Sequence, residues 1–153
     1  MKYAISGSIA KSLYGLPTIS KDVDVLAEHT KPIAEQLHPQ FTVLAEEDAY
    51  QDVSGFVVEL FTARSSTERE MLDRAREHRL GPETVRVLDP TDWAAIKLRY
   101  AREVPPERLK HLGDVQAVAQ VQAYDCARLR RLVKEFRAER EFTDAGVCGA
   151  PGD

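Results

Sequence analysis

Two aspartates two residues apart are the first feature of the sequence that could do chemistry. Asp22 and Asp24 lie in the stretch DVDVLA, in which acidic and apolar residues alternate. This alternation predicts a β-strand over residues 22–27, with both carboxylates on one face and Val23 and Val25 facing the core. Carboxylates so close repel each other, and a hard divalent cation such as Mg²⁺ would relieve the repulsion. The polar edge of an antiparallel sheet alternates in the same way, so this motif alone leaves both interpretations open.

A lone acid interrupts a second apolar stretch, GFVVELFTA (55–63), at Glu59. An unpaired carboxylate is costly to bury inside such a predicted strand, so packing does not explain its presence. If this strand lies beside residues 22–27, Glu59 becomes a third oxygen ligand for the same cation. The alternative is an edge strand on which Glu59 reaches solvent.

A Gly-Ser pair precedes the aspartates and could bind phosphate. Gly7 follows a predicted short strand, KYAIS (2–6), and Ser8 stands as the N-cap of a predicted helix over residues 8–14. Glycine lets the backbone approach a ligand closely, and a helix N-terminus offers free N–H groups and a positive dipole end. The same pair is also an ordinary helix cap, and only its position before the paired aspartates favours a phosphate site.

One lysine in the C-terminal half lies on an otherwise apolar helix face. The stretch DPTDWAAIKLRYAR predicts a helix over residues 89–102, on which Lys97 shares a face with Trp93 and Tyr100. Such a lysine either extends its ammonium group to solvent or meets an anion, for which a triphosphate or the carboxylate cluster would serve. The two aromatic residues are expected to pack.

Two polar residues lie on the next predicted helix, residues 107–122. Asp114 follows Lys110 by four residues, so a surface ion pair between them is the interpretation favoured for Asp114 taken alone. His111 shows no metal-ligand spacing with the other histidines and is expected on the helix surface.

The front of the chain resembles the nucleotidyltransferase superfamily that shares the DNA polymerase β-type palm. The family pattern is an apolar residue, Gly-Gly or Gly-Ser, a spacer, Asp-apolar-Asp-apolar, and a third acid on a later strand. Here the pattern is carried by residues within the first 63: Ile5, Gly7, Ser8, Asp22, Asp24 and Glu59. The resemblance implies that Gly7 and Ser8 hold a nucleoside triphosphate, and that the three acids bind Mg²⁺ or Mn²⁺.

The sequence departs from this pattern at two positions. Many members have an arginine four residues before the first metal aspartate, where Thr18 stands here. Lys21 supplies that charge to the nucleotide only if its side chain turns inward. The third acid is commonly aspartate, and the longer Glu59 moves its carboxylate.

The rear half resembles, more loosely, the toxin-type AbiEii-like branch of the superfamily. The matching stretch is VLDPTDWAAIKLRYAREVPPERLKHLGDVQAV, which carries a lysine on one helix and an aspartate on the next. The resemblance implies site roles for Lys97 and Asp114, with Lys97 contacting the nucleotide and neutralising developing charge.

Together these motifs predict a Mg²⁺-dependent nucleotidyltransferase that transfers a nucleoside monophosphate from a triphosphate to a hydroxyl or similar acceptor. The acceptor is an RNA end, a protein or a small molecule, and the toxin-type resemblance implies a toxin–antitoxin or defence component. The alternative is a catalytically inactive nucleotide- or RNA-binding protein of the same fold. The sequence leaves open whether a second copy or a partner protein completes the site.

The order of the predicted elements places the chain in the α+β class, with a small mixed sheet of four or five strands and a helical C-terminal part. Predicted strands cover residues 2–6, 22–27, 41–45, 55–63 and 84–88. Predicted helices cover residues 8–14, 30–38, 65–80, 89–102, 107–122 and 125–142. The acidic stretch 46–52 is a predicted loop. We expect one domain overall, with a nucleotidyltransferase-like core over 1–90, helices over 91–142 packed on it, and a disordered tail over 143–153.

The charge of the 153-residue chain is uneven around its net value of −4. Residues 1–60 hold nine acidic and four basic residues, whereas residues 97–140 hold six acidic and eleven basic ones. This distribution suits a site that holds cations on one side and polyanions on the other. The basic residues of the last predicted helix either follow a nucleic-acid backbone or form a solvated face. They are Arg128, Arg130, Arg131, Lys134, Arg137 and Arg140.

The two cysteines, Cys126 and Cys148, form neither a metal-ligand spacing nor a disulfide framework, which favours free thiols in a cytoplasmic protein. No apolar run is long enough to span a membrane, so no membrane partner is expected. The N-terminal MKYAISGS is too short in its apolar part for a secretory signal.

Overall fold

The computed structural model describes residues 1–44 and 48–149, which fall into two compact units. The first unit comprises residues 1–13 and 17–89, and the second comprises residues 14–16 and the chain from Pro90 onward. The first is built on a sheet and the second on helices.

The first unit alternates strands and short helices. Its strands are β1 (Tyr3–Ser6), β2 (Asp22–Ala27), β3 (Thr42–Val43), β4 (Ala49–Gln51), β5 (Val57–Thr62), β6 (Arg76–Leu80) and β7 (Glu83–Val87). Its helices are α1 (Gly7–Leu13), α2 (Lys31–Leu37) and α3 (Ser66–Arg74). Within the described residues these strands form one sheet in the order β3-β4-β5-β2-β1-β7-β6, parallel at β2–β5 and β1–β7 and antiparallel elsewhere. The predicted α+β class is confirmed, although the sheet has seven strands where four or five were expected.

One face of the central strands carries the apolar core of this unit. Val25 of β2 packs with Tyr50, Val58 and Leu60 of the neighbouring strands, and Leu37 of α2 packs against that cluster. Since strand side chains alternate, the residues on either side of Val25 face away from this core. The alternation in DVDVLA therefore turns its valines inward and its aspartates to the other face.

Two strands formed where other structures were predicted. The stretch 46–52 was expected to be a loop, but β4 pairs with β5 there; Glu46 and Glu47, like Ala45 of the predicted strand 41–45, lie outside the described residues. The predicted helix 65–80 ends at Arg74, and β6 follows it. Gly81 and Pro82 form a two-residue turn, with Gly81 at φ +58°, that pairs β6 with β7.

The second unit is helical. Its elements are α4 (Pro90–Glu103), a 3-10 turn (Pro105–Glu107), α5 (Arg108–Ala119), α6 (Cys126–Glu135) and α7 (Glu139–Ala145). Pro105 and Pro106 separate α4 from α5, because proline has no backbone N–H to donate to a helix hydrogen bond. The predicted helix 125–142 is broken at Arg137, whose φ of +57° does not fit a right-handed helix.

The interior of the helical unit is formed by apolar residues from several helices. Trp93 of α4 is fully buried and meets the ring of Tyr14 edge-on, with the ring centroids 5.7 Å apart. The side chains of Val115 on α5 and Leu129 on α6 are buried as well. Leu132, Val133 and Phe136 lie on the same stripe as Leu129 and are also buried.

The prediction of free thiols was wrong, because Cys126 and Cys148 form a disulfide with their Cα atoms 5.9 Å apart. The spacing of the cysteines in the sequence did not predict this bond, because α7 lies between them along the chain. The expected disorder from residue 143 also fails in part, because residues 143–145 belong to α7. Residues 150–153 lie outside the described residues.

No helix in the part of the chain that the structure describes has the length and apolarity needed to cross a membrane.

Candidate functional site

The chain turns from β1 into α1 at Gly7, with a φ of +63°. The helix begins at Gly7, one residue earlier than expected, so Ser8 lies in its first turn and is not the N-cap. A side chain at position 7 would not fit, because a Cβ atom there would overlap Asp24 Oδ2 and lie 2.9 Å from Asp24 Cγ. The Gly-Ser bend therefore lies directly against the carboxylate of Asp24.

The register of the sheet places Asp24 between two polar residues of the neighbouring strands. Asp24 pairs with Ser6 of β1 on one side and with Glu59 of β5 on the other. Paired residues on adjacent strands point to the same face, and adjacent strands lie about 4.8 Å apart. The carboxylates of Asp24 and Glu59 are therefore neighbours on the face opposite the Val25 core.

Asp22 lies on the same face, one pleat closer to the start of β2. It is exposed and pairs with Val57 of β5. The hydroxyl of Ser20 both accepts a hydrogen bond from the Asp22 N–H and donates one to its carbonyl, each at 3.1 Å. Asp22 thus has a fixed backbone and a carboxylate at the solvent-facing end of the row.

A turn before β5 contributes to the position of Glu59. The Asp52 carboxylate accepts hydrogen bonds from the Ser54 N–H at 2.9 Å, the Ser54 hydroxyl at 2.7 Å and the Phe56 N–H at 2.9 Å. The hydroxyl of Ser54, followed by the Phe56 N–H, lowers the pKa of Asp52. This turn directs the chain from β4 back into β5, where Glu59 stands.

The three acids fit a hard cation that a ligand helps to bind. In residues 1–44 and 48–149, no three His, Cys, Asp or Glu side chains are grouped so as to hold a metal by themselves. Mg²⁺ commonly uses only one or two protein carboxylates and completes its shell with substrate phosphates and water. The adjacent Asp24 and Glu59, with Asp22 beside them and the side-chain-free Gly7 against Asp24, supply such a partial oxygen site.

Lys21 lies at the outer end of this row, next to Asp22. Its side chain is exposed, and its Nζ donates to the Ser54 carbonyl at 3.5 Å. In this arrangement the ammonium group contacts the Asp52 turn. Contact with a nucleotide would require another rotamer of this long side chain.

Lys97 belongs to the second unit, where it forms a buried ion pair. Its Nζ donates to Asp114 Oδ2 at 3.1 Å, and the two side chains are only 7% and 14% exposed. The same Nζ lies 5.6 Å from the centroid of the Trp93 ring. The expected surface pair of Asp114 with Lys110 was therefore wrong: the carboxylate contacts α4 instead.

His111 is the polar residue of this unit that sequence reasoning misplaced. It was expected on the helix surface but is 6% exposed. Its Nε2 lies 3.3 Å from Glu107 Oε2, whereas its buried Nδ1 has no hydrogen-bond partner among the residues that the structure describes. Burial, and after it the positive charge of Lys97, lower the pKa of His111. His111 and Lys97 lie on different helices, so no local pattern in the sequence indicates that they are close.

A mixed sheet with an acidic row on two adjacent parallel strands, beside a Gly-Ser bend, is the arrangement that the polymerase β-type motif predicted. Two solved structures are similar to this chain in fold. An antigenic nucleotidyltransferase-like protein from Paracoccidioides brasiliensis matches with a TM-score of 0.56 and 17% identity, over 95% of this chain and 83% of that chain. The antibiotic-resistance factor ANT(2'')-Ia matches with a TM-score of 0.62 and 17% identity, over 93% and 85%.

No protein-family model matches the chain, and no curated protein matches it either. The structural similarity shows that the chain shares its fold with these two proteins, which agrees with the fold that the sequence resemblance implied.

Proposed function

We propose that this protein is a Mg²⁺-dependent nucleotidyltransferase that moves a nucleoside monophosphate from a triphosphate to a hydroxyl or similar acceptor. The observation that carries the proposal is the register of Asp24 with Glu59 on parallel strands, with Gly7 against the Asp24 carboxylate. The fold shared with nucleotidyltransferases supports it.

The residues of the bend would bind the triphosphate. Gly7 offers backbone without a side chain, and the hydroxyl of Ser8 in the first turn of α1 can donate to a phosphate oxygen. Lys21 would contribute positive charge to the phosphates, which stabilises the negative charge that develops during transfer.

The acids would hold the cation and orient the acceptor. Asp22, Asp24 and Glu59 are the residues that would bind Mg²⁺ or Mn²⁺, which supplies charge neutralisation at the phosphates and the leaving group. The acceptor oxygen attacks the α-phosphorus, the bond from that phosphorus to the bridging oxygen breaks, and pyrophosphate leaves. The acceptor proton passes to Glu59, whose extra methylene extends its reach beyond that of an aspartate.

Substitution of Asp24 tests this proposal. Asp24→Asn keeps the shape of the side chain but removes its charge, so we expect pyrophosphate release to fall by about three orders of magnitude or more, which abolishes measurable transfer. Asp73→Asn is the matched control, because Asp73 is an exposed acid of the same unit that pairs with Lys2. Both variants should keep the circular dichroism spectrum of the wild type. Unchanged turnover in folded Asp24→Asn protein would rule the mechanism out.

A catalytically inactive nucleotide- or RNA-binding protein is the second candidate function. Thr18 favours it, because that position lacks the arginine common in active members of the resembling family. Calorimetric titration with ATP, with and without Mg²⁺, separates the two candidates when combined with a pyrophosphate-release assay. Binding without release under every acceptor condition supports the inactive protein.

We further propose that the activity serves a toxin–antitoxin or defence system, as the toxin-type resemblance of the rear half implies. The expected cytoplasmic location rested on free thiols and loses that support, because the two cysteines are bonded. Growth arrest on expression that disappears with Asp24→Asn would support this role. The cytoplasm is a reducing compartment in which disulfides are rare, so the Cys126–Cys148 bond would be exposed to reduction there.

A further inference from the structure

A cavity of about 460 Å³ lies in the helical unit, lined by residues of α6, α7 and the segment that follows α7. This volume falls in the range of small-molecule sites. Phe142 supplies apolar surface, and Arg130 and Lys134 supply positive charge. None of these residues belongs to the acidic row of the first unit.

The disulfide fixes one wall of this cavity. Cys148 and Gly149 line it, and Cys148 is bonded to Cys126 at the start of α6. The guanidinium of Arg130 also donates to the carbonyl of Gly149. The segment after α7 is therefore attached to α6 both covalently and by a hydrogen bond, which shapes the cavity before any ligand binds.

The polar groups of the cavity are of two complementary kinds. Arg130 and Lys134 are four residues apart on α6, so they share one side of that helix. Glu139 and Thr143 are likewise four residues apart on α7, and both line the cavity. The basic pair can bind an anion, whereas the carboxylate and the hydroxyl oxygen can accept hydrogen bonds from O–H and N–H groups. A ligand that matches these groups has an anionic group joined to a part that is rich in hydrogen-bond donors.

We propose that this cavity binds a nucleoside phosphate, with the base against Phe142 and the phosphate at Arg130 and Lys134. An aromatic side chain accepts any base by stacking, and ribose hydroxyls and exocyclic amines are donors for Glu139 and Thr143. A fatty acid would satisfy the basic pair and the apolar surface but would leave these acceptors unmatched. The same chemistry is offered by a free nucleotide and by the end of an RNA strand.

The exposed basic residues nearby distinguish those two sources. Arg131 and Arg137 are exposed on or just after α6 and do not line the cavity. Further phosphates of an RNA strand would contact them, whereas a mononucleotide would not reach them.

Titration calorimetry with 5′-AMP, adenosine, decanoate and a short oligoadenylate tests the proposal. The measurements use the full chain in its disulfide-bonded form, in the presence of a chelator. We expect 5′-AMP to bind, adenosine to bind more weakly, and Lys134→Glu to weaken 5′-AMP binding by about tenfold or more. Arg131→Glu is the matched control, because it reverses a charge on the same helix outside the cavity. It should leave 5′-AMP binding within about twofold and should weaken oligoadenylate binding if RNA is the source.

Reduction of the disulfide provides an independent readout. We expect reduced protein and Cys126→Ser to bind 5′-AMP about tenfold more weakly, because the wall formed by Cys148 and Gly149 is no longer pre-organised. Equal effects of Lys134→Glu and Arg131→Glu on 5′-AMP, tighter binding of decanoate than of 5′-AMP, or no binding of either nucleotide probe would each overturn the proposal. Affinity that survives reduction unchanged would overturn the role of the disulfide.

The inference is independent of catalysis by the first unit. Asp24→Asn, which should abolish transfer, should leave 5′-AMP binding in the cavity unchanged. Failure of one proposal is therefore distinguishable from failure of the other.

Discussion

Gly7 is required both for the backbone conformation of the bend and for the space beside the Asp24 carboxylate. Its φ is +63°, and a Cβ atom would overlap the Asp24 carboxylate. We expect Gly7→Ala to lower the free energy of unfolding by about 2–4 kcal/mol, of which about 1–2 kcal/mol is the cost of the left-handed conformation. It should also abolish nucleotidyl transfer, because Asp24 must move to make room. Urea denaturation and pyrophosphate release measure the two effects.

Gly81→Ala measures the cost of the left-handed backbone conformation without a steric overlap like that between position 7 and Asp24. Gly81 belongs to the same unit and has a φ of +58°, but a Cβ atom there meets nothing within 4 Å. This variant should lose only the conformational part of the stability and should keep its activity. Equal losses of stability and activity in the two variants would contradict a specific contact between Gly7 and Asp24.

His111 gives the helical unit a predictable response to pH. The titratable groups facing it are Lys97 and Tyr100 on α4, Glu107 in the 3-10 turn and Lys110 on α5, and burial, followed by the charge of Lys97, holds the pKa of His111 below its ordinary value. The unfolded chain therefore binds more protons than the folded one just below that value. The neutral side chain of His111 makes its full contribution to the free energy of unfolding at pH values above the pKa of the unfolded chain. That contribution is lost as the pH falls from this pKa toward the lower pKa of the folded protein.

We expect His111→Gln to flatten the fall in stability between about pH 7 and about pH 5. Glutamine keeps a polar group near Glu107 but does not titrate. Urea denaturation across this range measures the slope, and His78→Gln, a change at an exposed histidine of β6, is the control. A slope that His111→Gln leaves unchanged would contradict the pKa lowered by burial.

At the scale of residues, the sequence predicts what local periodicity determines and misses what depends on a second element. The common face of Asp22 and Asp24 follows from the period of a strand, and the structure shows Val25 in the core behind them. The partner of Asp114 depends on which face of α5 meets α4, and no spacing along one helix contains that information. The burial of His111 was missed for the same reason.

At the scale of elements, boundaries failed where a partner strand overrides local preference. The residues of β6, REHRL, are all exposed and mostly polar. Nothing in their own pattern distinguishes a strand from the end of a helix. The Gly81-Pro82 turn and the neighbouring β7 decide the outcome. Likewise the two-residue β3 and the three-residue β4 are too short to show alternation. They form because β4 pairs with β5 and β3 in turn pairs with β4.

The disulfide shows the same limit for covalent structure. Cys126 and Cys148 are 22 residues apart, and their pairing depends on the break at Arg137 that separates α6 from α7. A continuous helix over 125–142, as predicted, would carry the chain away from the start of α6 and leave the thiols apart. One positive-φ residue therefore determines whether the cavity wall at Cys148 can form.

At the scale of the whole molecule, the two units differ in charge. By sequence the first unit has 15 acidic and 10 basic residues and the second has 10 acidic and 11 basic, which gives formal charges of −5 and +1. The α+β class could be predicted from the order of elements, because each strand and helix has its own period. If the proposed nucleotidyl transfer is correct, the less acidic helical unit is the better surface for a polyanionic acceptor, so we expect such an acceptor rather than a neutral one.

This division predicts that RNA is the acceptor. When the protein is incubated with Mg²⁺, triphosphates labelled at the α-phosphate, and separate pools of RNA, protein and small metabolites, we expect the label to enter the RNA. The yield should fall steeply with added salt, because each phosphate contact releases counterions. Asp24→Asn is the control and should incorporate no label. Label confined to protein or small metabolites would reject RNA as the acceptor while leaving nucleotidyl transfer intact, and absence of label from every pool would reject the transfer itself.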